Sequence, residues 1–248
     1  MSAICLSAAS YIDSARLGSR ATGLRAWGKD KRPESGFAWA DVSKSEFPRF
    51  DRMNGLCRLA VAAIELLGVD FAAWPEERRL GTGVAFGSAL GSLETDLEFM
   101  SGLAAPSPTL FAYTLASAVV GEVCIRNRLQ GPNTCLFCGP DDSRPVLETA
   151  MTWLEDGAAS ACLCIYADTP PREAGPYAMP AGVSFCAAAC LLEPALPSAP
   201  RDCRRAMPLP CSIPAGVTSM SDWIRELSEI TIARENAPAA FDCREPEP

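Results

Sequence analysis

The chain has 248 residues, of which 48% are hydrophobic and 21% charged, a composition typical of a soluble globular protein with a sizeable core. Its net charge of −8 makes nucleic acid and anionic lipid surfaces poor candidates for partners. The sequence contains no histidine, which closes Ser-His-Asp and Cys-His hydrolysis and most catalytic zinc sites to this chain on its own. No signal peptide and no uncharged apolar run of about 18 residues is visible, so we expect a cytoplasmic protein without a membrane span.

The 12 cysteines lie mostly in apolar runs, where a free thiol behaves as a small buried hydrophobe. A secreted disulfide scaffold would be shorter, so we expect reduced, structural thiols. Cys135 and Cys138 have the spacing of half a zinc or redox site. Without a second pair or a histidine this spacing is weak evidence, and we expect no metal and no other cofactor.

The first part of the chain predicts one strand and one clear helix. An apolar run at residues 3–10 predicts the strand. Residues 11–50 are polar and irregular, and we interpret them as a long excursion anchored by Trp27 and Trp39. Apolar side chains at helical spacing predict a helix over residues 51–68.

Farther along, short buried strands alternate with helices, an order that indicates α/β layering. The strands are predicted at residues 83–87, 134–137, 159–166 and 183–192. Three helices are predicted. The first follows Ser92, which can cap it, and the other two cover residues 107–129 and 145–156.

The composition changes near residue 193, where prolines become frequent and apolar periodicity weakens. We therefore predict one domain over residues 1–193. Residues 194–248 are predicted to form a proline-rich extension with one short helix around residues 221–234.

Three features between residues 107 and 168 carry a resemblance to a known family. Ser107-Pro108 opens a helical stretch, Gly131-Pro132 forms the turn after it, and a Gly-x-Ala strand begins at Gly157. The chain resembles the β-ketoacyl synthases, condensing enzymes of fatty acid and polyketide assembly, over residues 50–193. The resemblance implies an α/β thiolase-like half-fold, with a mixed β-sheet sandwiched between helices.

The departures from this family concern its catalytic groups. Counting from Gly131 without a gap, the position of the family's nucleophilic cysteine falls on Pro140, which has no nucleophile. Cys138 lies two residues too early to reach the helix tip. The family's two histidines belong to its C-terminal half, and this chain has none. The resemblance therefore implies that the chain is not catalytic alone, because a condensing enzyme needs a thiolate and histidine donors.

The family also contains inactive members, the chain-length factors, which pair with an active ketosynthase and shape its acyl tunnel. The resemblance implies such a role here, in an aryl-polyene-like pathway, with an active β-ketoacyl synthase and an acyl carrier protein as partners. Residue-by-residue transfer places Leu110, Phe111, Tyr113 and Leu115 at the acyl tunnel and the interface. Two alternatives stay open: the four residues are only core, and the chain is a stand-alone binding or scaffold protein with no acyl role.

Overall fold

The computed structural model describes residues 4–28, 31, 33–140, 142–171 and 183–194, together with the backbone of residues 207–208. The strands are β1 (Ile4–Asp13), β2 (Arg16–Ser19), β3 (Gly23–Ala26), β4 (Thr82–Ser88), β5 (Asn133–Phe137), β6 (Ala161–Asp168), β7 (Cys186–Pro194) and β8 (Met207–Pro208). The α-helices are α1 (Gly55–Leu66), α2 (Glu76–Leu80), α3 (Leu93–Ser101), α4 (Pro108–Ala112), α5 (Ala118–Asn127) and α6 (Arg144–Glu155).

One mixed sheet runs through the described residues in the order β3-β2-β1-β7-β6-β4-β5, and β8 pairs with β1. β4 is parallel to both β5 and β6, whereas β7 is antiparallel to β6 and to β1. The strand, helix and strand predicted over residues 134–166 are confirmed as β5, α6 and β6.

Helices cover both faces of this sheet. Leu163 and Ile165 of β6 pack on the side of α1 and α5, and Cys164 and Tyr166 pack on the side of α6. This alternation follows from the two-residue period of a strand. Because both faces are covered, β4 and β6 are buried along their whole length. The predicted mixed sheet sandwiched between helices is confirmed.

Residues 11–50 contain more regular structure than predicted. β1 continues to Asp13, and β2 and β3 extend the sheet as an antiparallel meander. One of the glycines that made this segment look irregular, Gly18, is needed for close approach, because a Cβ there would overlap the carbonyl oxygen of Gly23. Trp27 and Trp39 are buried and anchor the segment, as predicted.

The helix predicted over residues 107–129 is two helices, α4 and α5. Between them, the Tyr113 carbonyl accepts a hydrogen bond from Asn54 Nδ2 at 3.4 Å, and the Thr114 carbonyl accepts one from the Ser92 hydroxyl at 2.5 Å. In a continuous helix, the carbonyls of Tyr113 and Thr114 would accept hydrogen bonds from amides one turn later. Because side chains bond to them instead, the helix is interrupted here. Ser92 precedes α3 as predicted, but its hydroxyl does not cap that helix.

β7 ends at Pro194, next to the predicted domain boundary near residue 193, and the division into two parts stays a prediction. Beyond it, the backbone of β8 pairs with Cys5 and Leu6 of β1. The helix predicted around residues 221–234 lies outside the described residues. Within the described ranges, no helix is both long and apolar enough to cross a membrane.

Candidate functional site: a degenerate turn and an outer apolar face

The turn between β5 and α6 is where the resemblance places a nucleophile. Pro140 lies exposed in this turn and has no side-chain group that could attack a thioester. Just after it, the Asp142 carboxylate accepts hydrogen bonds from the amide and the Nε of Arg144 at 3.3 and 3.0 Å. A carboxylate rather than a thiol therefore lies beside the N-terminus of α6.

Cys138 is the thiol nearest in sequence to this turn, and its surroundings oppose nucleophilic chemistry. Its side chain is 9% exposed and belongs to the core between the sheet and α6. Burial, together with the carboxylates of Asp142 and Asp168, raises the pKa of Cys138 to about 11. At neutral pH the group is therefore a protonated thiol, which is a poor nucleophile.

The carboxyl ends of the parallel strands β4 and β6 hold a buried polar cluster. Oδ1 of Asp168 accepts hydrogen bonds from the Ser88 hydroxyl at 2.6 Å and from the amides of Ala89 and Leu90 at 3.0 and 2.9 Å. Burial raises the pKa of Asp168, although these hydrogen bonds act in the opposite direction. Ligands often bind at the carboxyl ends of parallel strands. Here the amides at these strand ends already donate to the Asp168 carboxylate of the protein itself.

Cys135 and Cys138 do not form a joint metal or redox site in this geometry. Cys135 packs against the core on the side of α1 and α5, whereas Cys138 belongs to the core on the side of α6. Residues three apart on a strand point to opposite faces, so the two thiols diverge. Nor does the described part of the chain contain any group of three or more side chains suited to hold a metal.

Leu110 and Tyr113, two of the four residues predicted at the acyl tunnel, line a cleft of about 470 Å³. The cleft lies between the N-terminal end of α1 and the pair α3 and α4. Charged side chains contribute to its lining, among them Arg58, Glu94 and Glu98. Such a lining suits polar groups and disfavours an aliphatic chain, because burying charges beside hydrocarbon costs free energy.

Hydrogen bonds at both ends hold Tyr113 in the wall of this cleft. Its hydroxyl donates to Glu122 Oε1 at 2.8 Å, and its carbonyl accepts from Asn54. Arg49 forms an ion pair with the same Glu122 at 3.6 Å. Burial and the neighbouring carboxylate raise the pKa of Tyr113 to about 12, so the phenol stays protonated. Tyr113 therefore shapes the wall of the cleft and does not act as a proton donor or acceptor at neutral pH.

Phe111 and Leu115, the other two predicted tunnel residues, lie on the surface and are 62% and 67% exposed. The alternative that all four residues are ordinary core is therefore wrong for these two. The Phe111 ring lies 5.5 Å from the Phe99 ring of α3, centroid to centroid. This contact joins α4 to α3, which carries the exposed Met100 and is followed by the exposed Leu103.

Large exposed apolar side chains are concentrated between α3 and β5 in the described part of the chain. Apart from Leu80, they are Met100, Leu103, Phe111, Leu115, Ile125 and Phe137, here called the outer apolar face. Sequence reasoning missed four of the six. Ile125 could have been found, because it is out of register with the buried valines of α5.

β5 lies at the end of the sheet, and none of the other described strands pairs with its second edge. The Pro132 carbonyl and the Cys138 amide bond to β4 at 2.9 and 3.0 Å. Backbone groups alternate in direction along a strand, so the amides and carbonyls of Asn133, Cys135 and Phe137 point to the open edge. Phe137, the last residue of β5, brings this edge to the segment around Gly91 and Ala116, because its ring would touch a Cβ built on Gly91.

No protein-family model matches the sequence, and a search of curated proteins gives no match. Solved structures do match. The chain aligns with the ishigamide ketosynthase/chain length factor at a TM-score of 0.58 and 20% identity, covering 78% of this chain and 62% of that one. It also aligns with a structure of a ketosynthase, ApeO, in complex with its chain length factor, ApeC, from Xenorhabdus doucetiae, at a TM-score of 0.54 and 18% identity.

The second alignment covers 79% of this chain and 80% of the matched one, so the two chains are of similar length. A third match is to a structure of a complex, in which a type II polyketide acyl carrier protein is bound to its ketosynthase carrying a hexaketide. The TM-score is 0.56 and the identity 12%. There the chain spans 63% of its match, so in the first and third structures it covers less than two thirds of the matched chain. At these identities the likeness is one of fold. The chain has the thiolase-like fold of the ketosynthases and chain length factors.

Proposed function

We propose that this chain is a non-catalytic partner of an active β-ketoacyl synthase, of the chain-length-factor type, in fatty acid or polyketide assembly of the aryl-polyene-like kind. The observation that carries the proposal is the outer apolar face beside an open strand edge, on a chain with Pro140 in place of a nucleophile. Exposed apolar groups and open edges mark contact surfaces. Among structures of the same fold are complexes of a ketosynthase with a chain length factor.

In this proposal the acyl tunnel lies between the two subunits. The cleft inside this chain is lined partly by charges, whereas Phe111 and Leu115 project outward from α4 and the turn after it. The active subunit supplies the thiolate and the histidines, and this chain supplies an apolar wall. An acyl carrier protein delivers the substrate, by analogy with the carrier protein bound to a ketosynthase in one similar structure. The cytoplasm stays the predicted compartment.

The test is co-expression of the full chain with each ketosynthase of its source organism, followed by co-purification. We expect one ketosynthase to be recovered in a stable complex. Leu115→Asp puts a charge into the outer apolar face, and it should break the complex while the chain stays folded. Thr152→Asp, at an exposed position of α6 on the other side of the sheet, is the matched control and should leave the complex intact.

A chain that never retains a ketosynthase would contradict the proposal. So would a complex that survives Leu115→Asp as well as it survives Thr152→Asp, because the interface would then lie elsewhere. In the first case, the stand-alone scaffold becomes the better reading.

A further inference from the structure

The cleft of about 470 Å³ beside the start of α1 takes no part in the proposed function. It lies next to the carboxyl end of β6, since Thr169 and Pro170, which follow that strand directly, belong to its lining. Small ligands often bind at this end of the strands in α/β sheets. The charges, rings and hydroxyl groups of the lining therefore define which ligand would fit.

Carboxylates outnumber cations in the lining of this cleft. The carboxylates belong to Glu34, Asp51, Glu94 and Glu98, and the guanidinium groups belong to Arg52 and Arg58. In the described part of the chain, Glu34, Asp51 and Glu98 form no ion pair. The Arg58 guanidinium donates to the carbonyls of Phe50 and Asp51 at 3.2 and 2.7 Å, so it is engaged by its own segment. The excess of unpaired negative charge favours a cation.

The cation that suits this cleft is organic rather than metallic. Among the described residues, no group of three or more acidic, cysteine or histidine side chains is arranged to hold a metal ion. Aromatic residues line the same cleft, namely Phe37, Tyr113 and Phe185. The faces of aromatic rings attract ammonium groups, and nearby carboxylates add to this attraction.

Two buried hydroxyl groups indicate that the ligand also carries an acceptor. Asn54 Oδ1 accepts from the Cys57 amide at 3.0 Å, so Asn54 Nδ2 is the atom that donates to Thr95 Oγ1 at 2.7 Å. The hydroxyl proton of Thr95 is then left without an acceptor among the described residues, and the Thr169 hydroxyl has no described partner either. Both threonines line the cleft and are 4% and 5% exposed. A buried donor without an acceptor costs free energy.

We propose that this cleft binds a small organic ammonium ion that also carries a hydroxyl or carbonyl oxygen. The ammonium group lies among the rings and carboxylates, and the oxygen accepts hydrogen bonds from Thr95 and Thr169. This inference goes beyond the proposed function and does not depend on it, because the cleft is formed by this chain alone. Arg52, an exposed cation of the lining, opposes such a ligand, so its removal should strengthen binding.

The probe is choline, which carries an ammonium group and a hydroxyl group. Its control is the neutral alcohol of the same shape, in which carbon replaces the nitrogen. Each compound is titrated into the full isotope-labelled chain, and the backbone amides are followed by NMR. We expect choline to shift the amides around the cleft saturably and to bind roughly three- to tenfold more tightly than the alcohol, as a cation–ring contact predicts. Added salt should weaken the binding of choline and leave that of the alcohol unchanged.

Variants of the lining test each part of the proposal. Glu98→Gln should weaken choline binding up to about fivefold, the effect of one exposed ion pair, and Arg52→Gln should strengthen it. Thr169→Val should weaken the binding of choline but not that of tetramethylammonium, which has no hydroxyl group. Glu148→Gln, at an exposed position of α6 on the other side of the sheet, is the matched control. The comparison of choline with the alcohol needs no variant, so it decides even if a variant does not fold.

Three outcomes would overturn the inference. Equal affinities for choline and the alcohol would mean that charge does not contribute. Equal losses in Glu98→Gln and Glu148→Gln would mean that the net charge of −8 attracts choline without a site. If neither compound shifts an amide of the cleft, solvent alone satisfies Thr95 and Thr169. None of these outcomes changes the proposed partnership with a ketosynthase, which co-purification tests separately.

Discussion

At the scale of single residues, the surroundings of Cys138 argue against covalent catalysis. The pKa of its thiol is raised to about 11, so the thiolate fraction is small at neutral pH and grows with each pH unit up to that value. We predict that alkylation of Cys138 accelerates continuously from neutral to strongly alkaline pH, without a plateau near pH 8.5, the pKa of an ordinary thiol.

The same residue gives a prediction about acyl transfer. Incubation of the purified chain with acyl-CoA or an acyl carrier protein should leave its intact mass unchanged, because neither Pro140 nor a protonated, buried Cys138 can accept the acyl group. Cys138→Ala is the control that locates any adduct. A stable acyl adduct that disappears in Cys138→Ala would show that the turn after β5 is still reactive.

Substitution of Phe111 distinguishes a role in binding from a role in core packing. Its side chain is 62% exposed, so Phe111→Ala should change the free energy of unfolding by less than about 1 kcal/mol. The matched control is Phe50→Ala, where the ring is 1% exposed and the same truncation should cost about 3–5 kcal/mol. Chemical denaturation measures both. Under the proposed function, Phe111→Ala should also lengthen the products that a ketosynthase makes in complex with this chain. A folded variant with an unchanged product profile would exclude the tunnel role.

At the scale of elements, two glycines predict opposite effects of the same substitution. Gly121→Ala should stabilise the isolated chain by roughly 0.5–1 kcal/mol, because alanine favours the helix and its methyl group meets open space. Gly87→Ala in β4 should destabilise it, because the new methyl group would overlap Val146 Cγ2 and lie 2.8 Å from Cys138 Sγ. Urea unfolding of the two variants beside the wild type tests the pair. Equal changes in the free energy of unfolding for the two variants would contradict the open space at Gly121 in α5 and the close packing around Gly87 in β4.

Helices α1 and α5 are tied to the segment before them by a charged network around Glu65. This carboxylate accepts from Arg126 at 2.8 Å and from Ser43 at 2.7 Å, and the Arg126 guanidinium lies 4.9 Å from the Trp39 ring centroid. Burial alone would raise the pKa of Glu65, but hydrogen bonds from Ser43, Arg126 and Ser45 hold it below its ordinary value of 4.5.

Because the folded-state pKa of Glu65 is lowered, the ionised group stabilises the fold above about pH 4.5, the ordinary value for the unfolded chain. That contribution is lost as the pH falls below this value and through the folded-state pKa. Glu65→Gln should therefore lower the melting temperature at neutral pH and reduce the loss of stability on acidification. Melting curves between neutral and acidic pH measure this. An unchanged acid limb in the variant would mean that Glu65 is not the group responsible.

At the scale of the whole molecule, exposed apolar side chains are unevenly distributed over the described part of the chain. The buried side of α6 is Val146, Leu147, Ala150 and Leu154, while its exposed residues are polar. The exposed apolar surface lies instead between α3 and β5, next to the open edge. The side of α6 is covered by polar residues of the chain itself, whereas in the proposed function a partner covers the surface beside β5.

The sequence by itself determined the alternation of strands and helices, the helices α1 and α6, and the absence of a nucleophile at Pro140. These features depend on local periodicity and on residue type, which a single chain displays directly. It did not reveal β2 and β3, whose short polar strands are defined by pairing with β1, or the break between α4 and α5, which side chains distant in sequence impose.

Only the tertiary structure decided which apolar residues face outward. Leu110 and Phe111 are neighbours of similar character in the sequence, yet one lines the cleft and the other is exposed. Phe137 lies at an open edge only because β5 is at the end of the sheet, and Gly121 faces open space only because no described segment packs beside it. Burial and strand order are properties of contacts between distant segments, and no local pattern of residues specifies them.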